Sequence, residues 1–508
     1  MKPNADRGPA KLRRLARLLP VVLLALAATG CAALFEGYET APNGLPVQDD
    51  DLRKLLATTA YDSAWSHVLD DEAAPEDELL RTMYRGIVAY YVGAYDTAIA
   101  ALDRAEGLAQ DRLTSSASAL ALSTLTNDRI LPYTPGGSER LLLHYYGILA
   151  GLSAGDREAA AVEARRMSFI LDQLEMQAAQ DGEMGDEPAR DRLRALLHYL
   201  SAVAFEAYGD FSSADVSYRR AAALDSTIAP PLPSSDSGDV VVLIERGFVD
   251  HLAEENVFVV LSPGEVSTLS EGETADKIAL GALITARVMA ELALRDEPYR
   301  RSYGERQPNG RYHRREVRVH SADTAHYDEE PYVLRVAWPS FREDGRFDGG
   351  IVLAGTDSVE RAPDLRADVS SAIVADFSEE KAAMLARTVI RSVGRFALGE
   401  AAENKAEETS EGLGTLVGIL ANVGSAAVER ADTRSWHLLP SDISVIRLRL
   451  PAGEQPIYAV IDGGGSAVGK GEKDAVVGDA PVAARRIGLG RVQVQPGMVT
   501  VVTGRIWR

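Results

Sequence analysis

The sequence predicts an α+β multidomain protein, with an N-terminal α-solenoid followed by a mixed α/β C-terminal region. Apolar residues recur at helical spacing from about residue 52 to residue 228, whereas strand-like runs begin at Val240. Between them, residues 230–238 read PPLPSSDSG, which is typical of a linker. The chain of 508 residues also exceeds the size that one hydrophobic core usually organises. We therefore expect at least two domains.

The first 30 residues have the three parts of a secretory signal peptide. Six basic residues and one acid lie in residues 1–17, and residues 18–28 form an apolar stretch too short to span a bilayer. The sequence Ala28-Thr29-Gly30-Cys31 follows and resembles the lipobox at which bacterial lipoproteins are cleaved and acylated. Cys31 is the only cysteine, so no intrachain disulfide can form. We predict removal of residues 1–30 and a covalent lipid on Cys31, with an ordinary secretory signal or a short membrane anchor as the alternatives.

Residues 31–51 are predicted to be a solvated tether because they contain Pro42, Gly44 and Pro46 and end in three aspartates. Cleavage before Cys31 removes six basic residues and one acid, which takes the net charge from −21 to −26. Such an acidic chain is not expected to bind nucleic acid or to adhere broadly to anionic lipid. The membrane would be reached through the lipid anchor. The two alanines after Cys31, in place of an acidic residue, favour the periplasmic side of the outer membrane over the inner membrane.

Residues 52–229 contain two segments that match the tetratricopeptide pattern, in which a small residue lets two helices approach and a glycine-containing turn joins them. The first consists of Gly86, Gly93, Ala94, Tyr95, Ala98, Leu102 and Ala105, and the second of Ala202, Phe205, Gly209, Phe211, Ala214, Tyr218 and Ala221. A weaker match surrounds Gly155. These turn glycines are 62 and 54 residues apart, so we predict interruptions within 107–137 and 177–188. A solenoid of this kind would bind envelope proteins on its concave face, and a plain helical bundle is the alternative.

Residues 239–508 are predicted to form a mixed α/β domain. Strand-like runs lie at 240–244, 257–261, 332–338, 351–353, 443–450, 457–461 and 499–502. Residues 274–294 have helical spacing, and Asp376 begins a capping-box-like sequence for another helix. A small β-rich unit starting near residue 440 is a second way to divide this region.

Three further stretches resemble a poorly characterised family of bacterial tetratricopeptide-type lipoproteins of the cell envelope. They are residues 140–146 (RLLLHYY) running on to 163–166 (EARR), residues 332–339 (YVLRVAWP) and residues 431–440 (ADTRSWHLLP). The resemblance implies a cell-envelope lipoprotein associated with lipoproteins that activate peptidoglycan synthases. It implies no activity of its own.

No motif for a catalytic, metal or nucleotide site is complete. Residues 464–470 fit GxxxxGK, but Gly471 stands where a phosphate-binding loop has Ser or Thr, and no helical pattern follows. The eight histidines lack zinc-binding spacing, and no Ser-His-Asp arrangement can be assembled. Residues 414–418 fit GxxxG and favour a buried helix, with a membrane-contacting helix as the alternative. We predict no cofactor apart from the covalent lipid on Cys31, and no small-molecule substrate is evident.

One basic segment differs from its acidic background. Residues 295–320 hold eight arginines and four acids. A solvated hairpin around residues 309–310 explains this composition, and contact with an anionic partner is the functional alternative. The candidate interaction patch consists of Arg311, Arg314, Arg315 and Arg318.

Taken as a sequence, the chain is predicted to be a membrane-anchored, non-enzymatic scaffold that binds other proteins of the cell envelope. A role linked to peptidoglycan synthesis or to outer-membrane assembly fits this prediction. The alternative is a cell-wall hydrolase whose carboxylate pair is hidden among the 75 acidic residues.

Overall fold

The computed structural model describes residues 47–70, 77–123, 131–181, 188–228, 236–302, 317–320, 332–342, 352–357, 359–378, 381, 384–389, 391–392, 431–461 and 485–507. Within them the chain is a mixture of helix and sheet, and the sheets lie in the C-terminal part. The predicted combination of α and β structure is therefore confirmed at this level.

The N-terminal part consists of helices that pack side by side in chain order. They are α1 (Val47–Ala57), α2 (Tyr61–Asp70), α3 (Glu78–Tyr91), α4 (Tyr95–Ser123), α5 (Gly137–Ala154), α6 (Arg157–Asp181), α7 (Pro188–Tyr208) and α8 (Phe211–Leu224). Helix α1 begins at Val47, inside the range 31–51 predicted as a tether. The aspartates at 49–51 belong to the start of this helix, and its apolar residues follow them.

The three predicted helix turns are present. Gly93, Gly155 and Gly209 join α3 to α4, α5 to α6 and α7 to α8, each with a positive φ that favours glycine. Close approach of the first pair also requires Gly86, since a Cβ there would lie 2.7 Å from a methyl carbon of Leu102. The predicted interruption at 107–137 is wrong in its first part, because α4 continues through Gly107 to Ser123. The long turn spacing thus comes largely from long helices.

The C-terminal part contains eleven strands and several helical segments within the described residues. The strands are β1 (Ser237–Arg246), β2 (His251–Leu261), β3 (Val317–His320), β4 (Tyr332–Arg342), β5 (Val352–Thr356), β6 (Val359–Arg361), β7 (Leu365–Asp368), β8 (Asp442–Pro451), β9 (Gly453–Ile461), β10 (Arg485–Val494) and β11 (Val499–Ile506). The helices are α9 (Pro263–Glu271) and α10 (Thr274–Ser302), and residues 369–378 and 384–389 are also helical.

The strands form three sheets in the described part of the chain. Sheet 1 has the order β11-β1-β8-β7, sheet 2 the order β10-β9-β5-β6, and sheet 3 the order β3-β2-β4. Strand β1 pairs in parallel with β11 and antiparallel with β8. The strands after residue 440 therefore do not form a separate β-rich unit, because two of them flank the first strand of the region.

Sheet 1 is the middle layer of the molecule. Alternate side chains of a strand point to opposite faces, and both faces of β1 are buried. Val241 and Leu243 join the core of the helices, whereas Val240, Val242 and Ile244 pack on sheet 2. One hydrophobic core thus continues from the helical part into the sheet part, although the sequence suggested separate domains at 52–229 and 239–508.

Asp376 corrects another local prediction. It lies inside a helical segment that begins at Val369, so it does not start a helix. Its carboxylate accepts a hydrogen bond of 2.6 Å from the backbone N–H of Ser138, in the first turn of α5. A carboxylate at this end of a helix is favourable because the first N–H groups have no partner within the helix. Asp376 therefore caps the N-terminus of α5, a helix in the N-terminal part of the chain.

Candidate functional site

The first helix of each helical pair faces the sheet part of the molecule. Tyr84 of α3 donates a 2.9 Å hydrogen bond to the carbonyl of Ser435, and the ring of Tyr146 on α5 lies 6.0 Å from that of Trp436. Helix α7 packs against β7 and β11. We call this side of α3, α5 and α7 the inner face. It is the side that a helical repeat protein would use for a partner, and here the chain itself covers it.

Residues 431–440 cross the inner face without regular secondary structure. Trp436 is fully buried, and its backbone N–H donates to Glu139 Oε1 at 2.8 Å. Arg434 donates to Asp77 at 3.0 Å, just before α3. A buried aromatic side chain together with main-chain hydrogen bonds is how many domains hold a peptide ligand. The segment therefore occupies the inner face as an internal ligand would.

Glu139 on α5 is the polar centre of this contact. Besides the Trp436 N–H, it accepts hydrogen bonds from the Tyr133 hydroxyl at 2.5 Å and from the Gly136 N–H at 3.2 Å. Burial raises the pKa of Glu139, and these hydrogen bonds oppose the rise without cancelling it. Three donors converge on one buried carboxyl group, so its role is to hold the two parts together.

A second buried carboxylate, Glu245 of β1, lies where the inner face meets sheet 1. The Tyr91 hydroxyl donates to its Oε2 at 2.8 Å, and Arg505 Nη1 of β11 lies 3.7 Å from the same oxygen. Burial raises the pKa values of Tyr91 and Tyr146 well above the ordinary tyrosine value. Both hydroxyls therefore stay protonated at physiological pH and serve as donors.

Arg447 of β8 forms a third polar contact between the two parts. It donates to Glu206 on α7 at 2.7 Å and to Asp239 on β1 at 2.6 Å. Burial alone would raise the pKa of Asp239, but the hydrogen bonds and charges of Arg449 and Arg447 outweigh it and lower that pKa. One guanidinium thus neutralises two carboxylates on different layers of the fold.

These clusters have the chemistry of structural contacts. A glycan hydrolase needs two carboxyl groups that face each other across a space open to substrate. Glu206 and Asp239 instead share Arg447, and Glu139 and Glu245 are buried among donors. In the residues that the structure describes, no group of three or more His, Cys, Asp or Glu side chains is arranged to hold a metal ion.

The opposite side of the helical part exposes apolar side chains. Val162, Phe169 and Met176 lie seven residues apart on α6 and are 37, 60 and 61% exposed. Seven residues are close to two helical turns, so the three side chains form one row along the helix. Because α6 buries its other apolar residues, including Met167 and Leu171, this row is not needed for the core.

Two contacts connect α6 with the end of α7 and with α8. The Arg165 guanidinium of α6 lies over the ring of Tyr208, the last residue of α7, with its carbon 5.8 Å from the ring centroid. Seven residues further along α6, Asp172 forms an ion pair with Arg220 of α8. Side chains of α6 and α8 therefore meet at this ion pair.

Exposed apolar side chains are concentrated on this surface. Ten large apolar residues are exposed in the described part of the chain, and six of them belong to α6, the end of α7 and α8. These six define what we call the outer face: Val162, Phe169, Met176, Tyr208, Phe211 and Val216. Single exposed apolar residues are common on soluble proteins, whereas a concentration of them marks an interaction surface. The outer face is the candidate functional site.

Of the predicted site residues, Cys31, Arg311, Arg314 and Arg315 are outside the described residues. Arg318 lies in β3, where it is paired in register with Phe258 of β2. The arginine patch therefore stays a prediction.

The residues of the outer face were missed, although the sequence carries a signal for the row on α6. Val162, Phe169 and Met176 recur at heptad spacing, but such a row usually marks the buried side of a helix. Alanines at 160, 161, 164 and 178 provide much of the buried side of α6, so the larger apolar residues were free to face outward. The size of the apolar residues therefore does not identify the buried side of this helix.

No protein-family model matches the chain, and no curated protein or solved structure matches it, so the family resemblance stays a prediction. Within the described ranges, no helix combines the length and the apolar character needed to cross a membrane.

Proposed function

We propose that this protein is a lipid-anchored, non-enzymatic scaffold of the bacterial cell envelope that binds another envelope protein through its outer face. Acylation of Cys31 would hold it on the periplasmic side of a membrane, with the outer membrane favoured. Its helical part would be a tetratricopeptide-like solenoid that has turned its inner face to its own C-terminal part. A link to peptidoglycan synthesis or to outer-membrane assembly follows from the family resemblance.

The observation that carries the proposal is the contrast between the two sides of the helices. The inner face is filled by residues 431–440 and sheet 1, with Trp436 fully buried. Meanwhile Phe169, Met176 and Phe211 are at least 60% exposed. Burying an apolar side chain of this size contributes about 1.5–3 kcal/mol, so an exposed group of them is a source of affinity that folding leaves unused.

The proposal is tested by crosslinking and affinity purification from membranes, with proteins identified by mass spectrometry. The outer-face variant carries Phe169→Ser and Met176→Ser. Its matched control carries Ile278→Ser and Leu283→Ser, which replace equally exposed apolar residues on α10 in the other part of the chain. We expect one set of envelope proteins with the wild type and the control, and its loss with the outer-face variant.

Two further measurements separate the parts of the proposal. Cys31→Ala is expected to release the protein from membranes, and full retention of this variant would contradict the lipid anchor. Recovery of the same envelope proteins with the outer-face variant would show that binding occurs elsewhere. Turnover of purified peptidoglycan by the protein would overturn the non-enzymatic role and favour a hydrolase.

A further inference from the structure

We infer that the ligand of the outer face is an amphipathic α-helix whose apolar ridge is flanked by carboxylates. This inference rests on the proposed function, because it names the chemistry of the partner that the outer face would bind. Three features of α6 support it: its exposed charges, an arginine held in position by aromatic rings, and the length of its apolar row.

The exposed side of α6 lacks the negative charge that dominates the chain. The protein has 75 acidic and 54 basic residues. Between Val162 and Gln180, the carboxylates of α6 are Glu163, Asp172 and Glu175, and each is paired with a histidine or an arginine. The exposed polar residues of the same stretch are Arg165, Arg166, Gln173, Gln177 and Gln180. Arg166 is itself paired with Asp103 and Glu163, so Arg165 is the exposed cation of this stretch and the glutamines beside the apolar row are uncharged.

Arg165 is held in a position suited to a carboxylate. Its guanidinium lies 5.8 Å from the ring centroids of both Phe205 and Tyr208. Its charge also reaches Asp210, but that carboxylate already caps α8 by accepting from the backbone N–H and the hydroxyl of Ser213. Contact with two aromatic rings restricts the guanidinium while its N–H groups can still donate to a second carboxylate, so less entropy is lost when one binds.

The apolar row has the length of a helical ligand. Val162 and Met176 are 14 residues apart, which corresponds to about 21 Å along a helix. A ligand helix of about four turns covers that distance. Such ligands present apolar residues at i, i+3 or i+4 and i+7, which match the heptad spacing of the row. Phe211 and Val216 on α8 are further exposed apolar side chains of the outer face.

A foreign acidic helix and a second copy of this chain are the two candidate ligands of the outer face, and they differ in charge. The net charge of −21 repels an acidic partner at long range, but charges further apart than about 8 Å are largely screened at physiological salt. Local charges at the contact therefore decide the preference. A second copy of the chain would bring Arg165 and Arg166 towards surfaces of the same kind. A foreign acidic helix is the better match.

Two synthetic helical peptides of 21 residues test the inference. Both carry the same leucine ridge, flanked by glutamates in one and by lysines in the other. Binding to the full chain carrying Cys31→Ser, which lacks the lipid, is measured by fluorescence anisotropy at low and high salt. We expect the glutamate peptide to bind at least about tenfold more tightly, with the difference shrinking as salt rises.

Variants of Arg165 assign the preference to this surface. Arg165→Gln is expected to remove most of the tenfold difference, and Arg165→Glu to reverse it in favour of the lysine peptide. Phe169→Ser with Met176→Ser should abolish binding of both peptides, whereas Ile278→Ser with Leu283→Ser should leave it unchanged. The thermal unfolding midpoint of each variant is measured alongside, so that a folding defect is recognised.

The outcomes distinguish this inference from the proposed function. Equal binding of the two peptides, or no binding of either, overturns the acidic-helix ligand even where the outer-face variant still loses its envelope partner. Unchanged recovery of that partner overturns the proposed function itself. Concentration-dependent self-association that the outer-face variant abolishes would identify a second copy as the ligand and overturn the inference.

Discussion

The inner and outer faces of the helical part use their side chains in opposite ways. On the inner face, Glu139, Trp436 and Arg447 are buried, and each contacts a residue from another part of the sequence. On the outer face, Phe169 and Met176 are about 60% exposed although they belong to a helix whose other side is buried in the core. A helical array can therefore have its inner face covered by another part of the same chain and still expose apolar side chains on its other side.

The two faces also differ in what they contribute to the stability of the fold. Residues on the inner face connect the helices to sheet 1 through one continuous core, so a change there affects both parts of the molecule. Residues on the outer face add nothing to that core. Substitutions on the inner face should therefore lower the stability of the protein, and substitutions on the outer face should alter only binding.

The largest effect is expected for Trp436→Ala. The side chain is fully buried between α5 and the sheets, and removal of such a side chain costs about 3–5 kcal/mol. Urea unfolding followed by circular dichroism measures the change, with Phe169→Ala as the exposed control. Because the core is shared, we expect one transition that shifts as a whole. Two transitions, with only the second one shifted, would show that the helices are stable without the sheets.

Glu139→Ala is expected to lower the free energy of unfolding by about 2 kcal/mol, because three donors lose their acceptor in a buried site. Glu139→Gln keeps one acceptor and should lose less. Burial raises the pKa of Glu139, so its contribution is complete below the unfolded pKa and declines as pH rises through the folded pKa. The stability of the Gln variant should accordingly depend less on pH above about 4.3. An equal loss in both variants would show that the shape and the single acceptor kept by glutamine contribute nothing, and that both carboxyl oxygens are needed.

A smaller effect is expected at Glu175, which joins α6 to His198 of α7 at 2.8 Å. Burial opposes ionisation, but the hydrogen bond and charge of His198, with Arg194 and Arg220, lower the pKa of Glu175. Its contribution is therefore present above the unfolded pKa and is lost as pH falls through the folded pKa.

Glu175→Gln should thus lower stability at pH 7 by less than about 1 kcal/mol, since the pair is partly exposed to solvent. The difference from the wild type should shrink as pH falls below the ordinary glutamate pKa, as unfolding curves at a series of pH values will show. A stability difference that stays constant over the pH series would mean that the charge of Glu175 does not contribute to it.

Local features of the fold could be predicted from the sequence because their causes are local. The turns at Gly93, Gly155 and Gly209 follow from a backbone conformation that favours glycine, and the strand at 237–246 from a run of β-branched residues. Strand β10 was missed because arginines and glycines interrupt its apolar pattern. Its pairing with β9 supplies the stability that its own sequence lacks.

Contacts between distant residues could not be predicted in the same way. Nothing near Asp376 indicates that its carboxylate caps α5, since Ser138 is 238 residues away. The motif at 431–440 was recognised as distinctive, yet its position across the inner face depends on the pairing of β1 with β8. The candidate site follows the same logic, because only the covered inner face shows that the row on α6 must lie outside.

The smallest effect, and the one that tests the comparison most directly, is expected for Phe169→Ser and Met176→Ser. Each should change the free energy of unfolding by less than about 0.5 kcal/mol, because the side chains are largely exposed and serine is tolerated in helices nearly as well as phenylalanine. Met167→Ala on the same helix is the matched buried control and should cost about 2–5 kcal/mol. A large loss from either serine variant would mean that the row supports the fold, and the outer face would then have no claim as a binding surface. A neutral result together with loss of the envelope partner would instead separate recognition from stability on a single helix.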